Sequence, residues 1–262
     1  MNENVIIGGG KLIYENAKLF FAENANNNHI YIPLGQTVKL KNCSIHFFGS
    51  NNLIYFCHNV MSVNVSIYND STLYIGPAFS TNKTTNIIIS EQTSVFIGKE
   101  NLYSFDVWFR TADPHLIYDC ETRKRINPSK SIFIGDHVWI GQDCLIMKNT
   151  FIGSGSIIGA KSVCSNKIYD SNSSYGGYPA KKLKDGVFFT KDCVHNYKET
   201  ETELSLIKDT DAYTFTECFD PQVQKPHEII SFLDSNKDMQ ARIDYLTNLS
   251  TSKNRFYLRN EN

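Results

Sequence analysis

Isoleucine recurs every six residues in the middle of the chain, and a cysteine of similar size occupies the next position of the series. An α-helix repeats near 3.6 residues and a β-strand near 2, so neither period explains the pattern. A period of six is typical of a β-solenoid, in which each unit forms one strand and one corner and three units form one coil. We therefore expect stacked coils with these side chains inside: Ile134, Ile140, Ile146, Ile152, Ile158 and Cys164.

Small residues accompany this series at fixed positions. Glycine follows four of the isoleucines, which lets the chain turn where neighbouring coils lie close together. These glycines are Gly135, Gly141, Gly153 and Gly159. Small or β-branched residues stand four places after each isoleucine, at Val138, Cys144, Thr150, Ser156 and Ser162. The regularity over five successive units predicts a mainly β chain.

A looser and longer repeat precedes the hexads. It relates Asn42, Asn64 and Asn86, then Ile45, Ile67 and Ile89, then Leu53, Ile75 and Ile97. Each step is 22 residues long, which is three hexads plus four residues. We therefore expect further coils with a small insertion at one corner. The repeat lapses over about 101–130. Solenoids carry functional loops at such interruptions, so we expect one here.

These patterns divide the chain into three parts. We expect an irregular or β segment over 1–41, the β-helix domain over 42–186 with its loop insertion, and a polar extension over 187–262. Pro226 precedes apolar residues at helical spacing, which predicts a helix over about 226–249. This short helical region should pack on the solenoid or on a neighbouring subunit.

Composition narrows the functional classes. The chain has 262 residues, 41% of them hydrophobic, and a formal net charge of −1. It contains no Lys/Arg block that would follow phosphates, so we expect no nucleic acid partner. It also lacks a cationic N-terminal region followed by a long apolar stretch, and no apolar run approaches the length of a membrane-spanning helix. We expect a cytoplasmic protein without a membrane span.

Cysteine and histidine spacing argues against a metal site. The seven cysteines are scattered without a Cys-x-x-Cys motif, and Cys144 and Cys164 occupy inward positions of the repeat. They are interpreted as reduced core residues. None of the seven histidines belongs to a set with zinc-ligand spacing. We therefore expect no bound metal.

Four features resemble one family, the left-handed β-helix, hexapeptide-repeat acyltransferases. They are the hexads, the segment Arg110-Thr111-Ala112-Asp113-Pro114-His115, the coil Ile134-Gly135-Asp136-His137-Val138-Trp139-Ile140-Gly141 and the closing Gly177-Tyr178-Pro179-Ala180-Lys181. The motifs are most similar to those of capsular polysaccharide and polysialic acid O-acetyltransferases. The resemblance implies a left-handed solenoid, acetyl-CoA as co-substrate and a homotrimer with shared sites.

The resemblance also implies roles for single residues. His115 matches the general base, which removes the proton of an attacking hydroxyl. Imidazole suits this task at neutral pH because its ordinary pKa is about 6.5. Asp113, Asp119 or a backbone carbonyl could hold its other nitrogen. Ala112 stands where the family often has serine, which weakens any role for that position.

The same matches indicate contacts with coenzyme A. Trp139 follows His115 at the spacing found in relatives that modify polysialic acid, and by this resemblance it lies beside the thiol. The other matched positions are Gln142, Ala160, Ser165 and Asn166 along the groove, with Lys181 and Lys184 at the nucleotide phosphates. From sequence alone, a lysine pair after a loop is usually solvated surface, so the assignment of these two rests on the family pattern.

The leading functional hypothesis is an acetyl-CoA-dependent O-acetyltransferase that modifies a capsular or other cell-surface polysaccharide. One alternative keeps the fold and the co-substrate but transfers acetyl to an amine of a nucleotide-sugar, to a small sugar or to an antibiotic. Another alternative is a β-solenoid without catalysis that serves as a binding or assembly platform. The linkage of the product separates the first two, and any transfer at all excludes the third.

Overall fold

The computed structural model describes residues 4–57 and 59–260. Three sheets surround one apolar core. Sheet A contains Val5–Ile7 (β1), His29–Tyr31 (β3), Leu53–Phe56 (β5), Thr72–Ile75 (β8), Ser94–Ile97 (β11), Ile132–Ile134 (β14), Thr150–Ile152 (β17) and Lys167–Tyr169 (β20). Sheet B contains Lys11–Phe21 (β2), Thr37–Phe47 (β4), Asn59–Met61 (β6), Val63–Ile67 (β7), Thr85–Ile89 (β10), Trp108–Arg110 (β13), Leu145–Met147 (β16) and Val163–Cys164 (β19). Sheet C contains Ser80–Thr81 (β9), Leu102–Tyr103 (β12), Trp139–Ile140 (β15), Ile157–Ile158 (β18), Ser173–Gly176 (β21) and Lys181–Asp185 (β22).

From β8 to β21 the chain visits sheets A, C and B in turn, and neighbouring coils pair in parallel. The hexad series sets this register. Ile134 pairs with Ile152, and Ile146 pairs with Cys164, so residues three hexads apart stack on each other. All six members of the series are at most 1% exposed. The structure thus confirms the predicted mainly β fold as a β-solenoid.

The looser repeat predicts which residues of neighbouring coils pair, and this prediction is correct from Ile67 to Ile89 but wrong from Ile45 to Ile67. Ile67 does pair with Ile89 as predicted. Ile45, however, pairs with Val65 rather than with Ile67, which pairs instead with Phe47. Side chains of a strand alternate in direction, so a shift of two positions keeps the same face inward. The apolar pattern alone therefore fits both registers.

The solenoid sheets extend to the beginning of the described chain. β2 pairs in parallel with β4 from Lys11 to Phe21, and β1 pairs with β3. Residue 42, where the hexad-based division begins the solenoid, lies inside β4. These early strands are 11 residues long and alternate inward and outward on either side of Asn16 and Asn42, where a positive φ interrupts the alternation. Strands of this length do not repeat every six residues, so they carry no hexad signal.

Up to residue 260, the C-terminal extension contains three short α-helices, and it covers sheet A. They are Glu199–Leu204 (α1), Pro226–Ser235 (α2) and Met239–Thr247 (α3), and a 3₁₀ turn spans Val194–Asn196. The continuous helix expected over about 226–249 is thus two helices. Asn236 adopts an extended conformation after α2, and the Asp238 carboxylate caps α3 by accepting from the Ala241 amide at 2.7 Å.

Apolar residues of α2 and α3 pack on the aromatic outer face of sheet A, which includes Phe96 and Phe133. An ion pair inside the protein fastens the end of the extension: Arg255 Nε lies 2.9 Å from Asp136 Oδ2. Sheets B and C keep exposed aromatic side chains, since Trp108 and Trp139 are each 40% exposed. Among the described helices, none combines the length and apolar character needed to cross a lipid bilayer.

Candidate active site

The functional loop is shorter than the predicted 101–130, because β12 and β13 still continue the coil. It leaves the solenoid at the corner between sheets B and A, after β13, and returns to β14. Tyr118 and Arg125 form an antiparallel bridge inside it. Arg125 also forms an ion pair with Glu91 on a preceding coil, with Nη2 2.9 Å from Oε2. Hydrogen bonds from Arg125 and Ser129 lower the pKa of Glu91 to about 2. The loop is thus bound to the coil beside it at neutral pH.

Buried Asn127 fixes the part of the loop that carries His115. Its amide donates to the His115 carbonyl at 2.8 Å, and its oxygen accepts from the Ile117 amide at 2.9 Å. Lys148, on the next coil, lies 2.6 Å from the Asp113 carboxylate. These contacts hold the backbone on both sides of His115 and leave its side chain exposed.

The acidic groups considered for orienting His115 have other partners. Asp113 binds Lys148, which lowers the pKa of its carboxyl. Asp119 accepts from the Thr122 amide at 2.7 Å, and that bond lowers its pKa. Within residues 4–57 and 59–260, neither carboxylate bonds to the His115 ring. Neither of the two carboxylates therefore orients the His115 ring in this chain.

Trp139 lies on the outer face of sheet C, in a row that crosses four strands. It pairs with Ile157, Ile157 pairs with Ser174, and Ser174 pairs with Lys184. Three strand spacings separate the two ends, a distance of roughly 14 Å. Ile157 and Ser174 are half-buried, whereas Trp139 and Lys184 are exposed. An indole and an ammonium group thus mark the two ends of a shallow path parallel to the solenoid axis.

The other predicted contacts fall into separate groups. Gln142 and Ala160 stack at the corner between sheets C and B, where the amide of Lys161 donates to the Gln142 carbonyl at 2.7 Å. Lys181 is exposed in β22, beside the path on sheet C. Ser165 and Asn166 lie at the corner between sheets B and A, in a groove of about 540 Å³ that Asp113 and Lys148 also line.

A single chain does not bring the predicted site together. The loop with His115 projects from the corner between sheets B and A, and sheet C is the opposite face of the three-sided coil. Trp139 therefore lies across the solenoid from His115. The structure unites Trp139, Lys181 and Lys184 on one face, whereas Ser165 and Asn166 share a groove at the far corner with Asp113 of the His115 loop.

Sequence reasoning missed the residues that hold this arrangement. Asn127 and Lys148 fix the loop, and Glu91 anchors it from a preceding coil through Arg125. None of them occupies a repeat position that singles it out. Phe189 of the extension was also missed, and its ring lies 5.8 Å from the Trp139 ring.

Comparisons with known proteins agree with this architecture. No protein-family model matches the sequence. The solved structure of a polysialic acid O-acetyltransferase superposes with a TM-score of 0.59 at 26% identity, covering 78% of this chain and 98% of that one. The coils, their corner loop and this match define a hexapeptide-type β-solenoid similar to acetyltransferases, which confirms the resemblance inferred from the sequence.

Two curated relatives make the similarity more specific. A polysialic acid O-acetyltransferase of Neisseria meningitidis is 34% identical over 119 residues, 45% of this chain and 54% of that protein. Another, of Escherichia coli O1:K1, is 36% identical over 55 residues, 21% of this chain and 18% of that protein. The match thus spans about half of the first relative's length and less of the second.

Proposed function

We propose that this protein is an O-acetyltransferase that moves the acetyl group of acetyl-CoA to a hydroxyl of a capsular or other cell-surface polysaccharide. The row from Trp139 to Lys184 across sheet C carries the proposal. It offers an aromatic wall at one end and a cation at the other, which suit the thiol end and the phosphates of coenzyme A. The relatives named as polysialic acid O-acetyltransferases support the acceptor class.

Three copies of the chain would complete the site. His115 and Trp139 lie on opposite sides of one solenoid. A site that uses both residues therefore requires His115 of one chain and Trp139 of another. The extension covers sheet A, whereas sheets B and C meet at an open corner that bears Phe105, which is 40% exposed. If these corners meet at a threefold axis, sheet B of one copy faces sheet C of the next. The loop with His115 then reaches the neighbour's Trp139.

The proposed reaction is a direct transfer. His115 accepts the proton of the sugar hydroxyl, and the oxygen attacks the carbonyl carbon of the thioester. Backbone N–H groups stabilise the charge on the carbonyl oxygen. The bond from carbon to sulfur then breaks, the thiolate leaves and takes up the proton from His115, and an acetyl ester and free coenzyme A result.

The test is an acetyl-transfer assay with acetyl-CoA, a panel of capsular oligosaccharides and detection of released thiol. His115→Ala should lower kcat by roughly 10²- to 10⁴-fold, the usual contribution of a positioned base. His195→Ala is the matched control, because His195 is an exposed histidine in the 3₁₀ turn of the extension. Near-normal turnover in His115→Ala would exclude this histidine as the base, and an alkali-stable product would indicate an amide instead of an ester.

A further inference from the structure

Exposed rings line the corner between sheets B and A on the coils before the His115 loop. Phe20, His46, Phe48 and Tyr68 form this aromatic corner. Ring centroids are 5.5 Å apart for Phe20 and His46, 5.7 Å for His46 and Phe48 and 5.2 Å for Phe48 and Tyr68. The last two pairs are stacked. The rings therefore form one continuous apolar strip along the solenoid.

In the single chain the strip faces solvent, so core packing does not account for it. Phe20 is 47% exposed, Phe48 43% and Tyr68 39%, whereas Phe47, between the outward His46 and Phe48, is completely buried. The solenoid core is formed by inward rings such as Phe47, and the outward rings do not contribute to it. Outward rings on several coils in succession are typical of a surface that binds a partner.

The strip leads into the groove beside the catalytic loop. The Phe48 amide donates to the Ile67 carbonyl at 2.9 Å, and the Tyr68 amide donates to the Ile89 carbonyl at 3.0 Å, which aligns successive coils in one column. Tyr68 also lines a groove of about 390 Å³ together with Pro114, the residue before His115. A chain lying on the strip would thus arrive at the proposed base.

Charge in this groove favours an acidic occupant. Two carboxylates line it, but Glu91 is paired with Arg125 and Asp113 with Lys148. Arg110 lines it as well, and among the described residues its solvent-shielded Nε has no hydrogen-bond partner. Guanidinium is a preferred partner of carboxylates. The groove therefore keeps the positive charge of Arg110 in its lining while its two carboxylates are paired with other cations.

We propose that the aromatic corner and Arg110 bind an extended acidic polysaccharide and guide it to the His115 loop. Sugar rings have apolar C–H faces that stack on aromatic side chains, and carboxylates or hydroxyls of the polymer accept from Arg110. The role of this binding in acetyl transfer rests on the proposed function, but the binding itself does not. A long acceptor would contact the aromatic corner as well as the groove, whereas a short acceptor would contact the groove alone.

The test measures equilibrium binding of polysialic acid and of hyaluronan to the full chain in a His115→Ala background, so that turnover does not interfere. The double variant Phe48→Ser, Tyr68→Ser should bind the long polymers about tenfold more weakly, because two stacking contacts are lost. Binding of a sialic acid trisaccharide should change less than twofold. Phe219→Ser, which removes an aromatic residue that is 82% exposed in the extension, is the matched control and should bind like the parent.

Equal affinity of the parent and the double variant for the long polymers would overturn the proposal, as would failure of the parent to bind either polymer. Arg110→Gln should weaken binding of both acidic polymers, and unchanged affinity in that variant would overturn the assignment to acidic chains. Aromatic-dependent binding without acetyl transfer by the wild-type protein would support this inference and contradict the proposed function, so the two failures are distinguishable.

Discussion

The imidazole of His137 stacks on the ring of Phe189, with centroids 4.1 Å apart and planes inclined by 12°. The His137 Nε2–H donates a hydrogen bond to the Phe189 carbonyl at 3.0 Å. Tyr213 stacks on the other side at 4.6 Å. The extension is therefore attached to the solenoid through a histidine that stands two residues before Trp139, at the edge of the proposed coenzyme A path.

This contact should make stability depend on pH. Burial lowers the pKa of His137 below its ordinary value, although Glu100 and Asp136 nearby favour the charged form and Lys191 opposes it. The unfolded chain therefore binds the proton more readily, and stability is lost as pH falls from about 6.5 towards the lowered pKa. Melting temperatures from pH 7.5 to 5 should fall more steeply for the wild type than for His137→Gln. Parallel curves would contradict this prediction, and His195→Gln is the control.

Substitutions at the two ends of the sheet C path should raise the KM for acetyl-CoA rather than the KM for the acceptor. Trp139→Ala and Lys184→Ala should each raise the KM for acetyl-CoA several-fold, because the first loses a wall for the thiol end and the second a phosphate contact. Lys83→Ala, at an exposed lysine on an earlier coil, should leave both KM values unchanged. Steady-state kinetics with either substrate varied checks this. A rise confined to the acceptor KM would remove Trp139 from the coenzyme A site.

An acidic residue inside the coil should unfold the solenoid. Ile146 is completely buried between coils, and an unpaired carboxylate there costs several kcal/mol out of a domain stability of about 5–15 kcal/mol. Leu145→Asp is the matched control, since its side chain is half-buried on the outer face of the same strand. Thermal denaturation followed by circular dichroism should show loss of the cooperative transition only for Ile146→Asp. A melting temperature near that of the wild type would mean that the inward assignment is wrong.

Shared sites predict complementation between inactive variants. His115→Ala and Trp139→Ala each damage every site of a homotrimer, but in mixed trimers some interfaces pair an intact His115 with an intact Trp139. Unfolding and refolding the two variants together should therefore restore part of the activity. Light scattering should give three times the 29.8 kDa chain mass. An active monomer would exclude both the trimer and the shared site.

The sequence predicts the late coils much better than the early ones. Between Ile134 and Cys164 each coil has the same length, so the period itself fixes which residues stack. Before it, the step from Phe47 to Ile67 is shorter than the step from Ile67 to Ile89. When coil lengths vary, apolar side chains at alternate positions fit several registers. Only three-dimensional packing then selects among them.

The site shows a similar division. His115 and Trp139 could be located because they stand in motifs with a recognisable order. Asn127 and Glu91 could not, because a loop clamp needs only a polar side chain that reaches a backbone group, and such residues are common on any surface. The separation of His115 from Trp139 was also invisible in their linear spacing, since the three-sided path of the chain decides on which face each residue lies.

The antiparallel strand β22 determines where the solenoid ends. A stack of similar coils has no inherent length, because the last coil presents the same free N–H and C=O groups to which another coil could be added. β22 reverses direction against β21. Lys182 of this strand forms an ion pair with Asp170, and two further lysines, Lys181 and Lys184, are exposed. Their positive charge repels the corresponding end of a second molecule. Lys181 and Lys184, the two lysines predicted to meet the nucleotide phosphates, thus also oppose end-to-end fibre growth, and neutralising both would expose a polymerising edge.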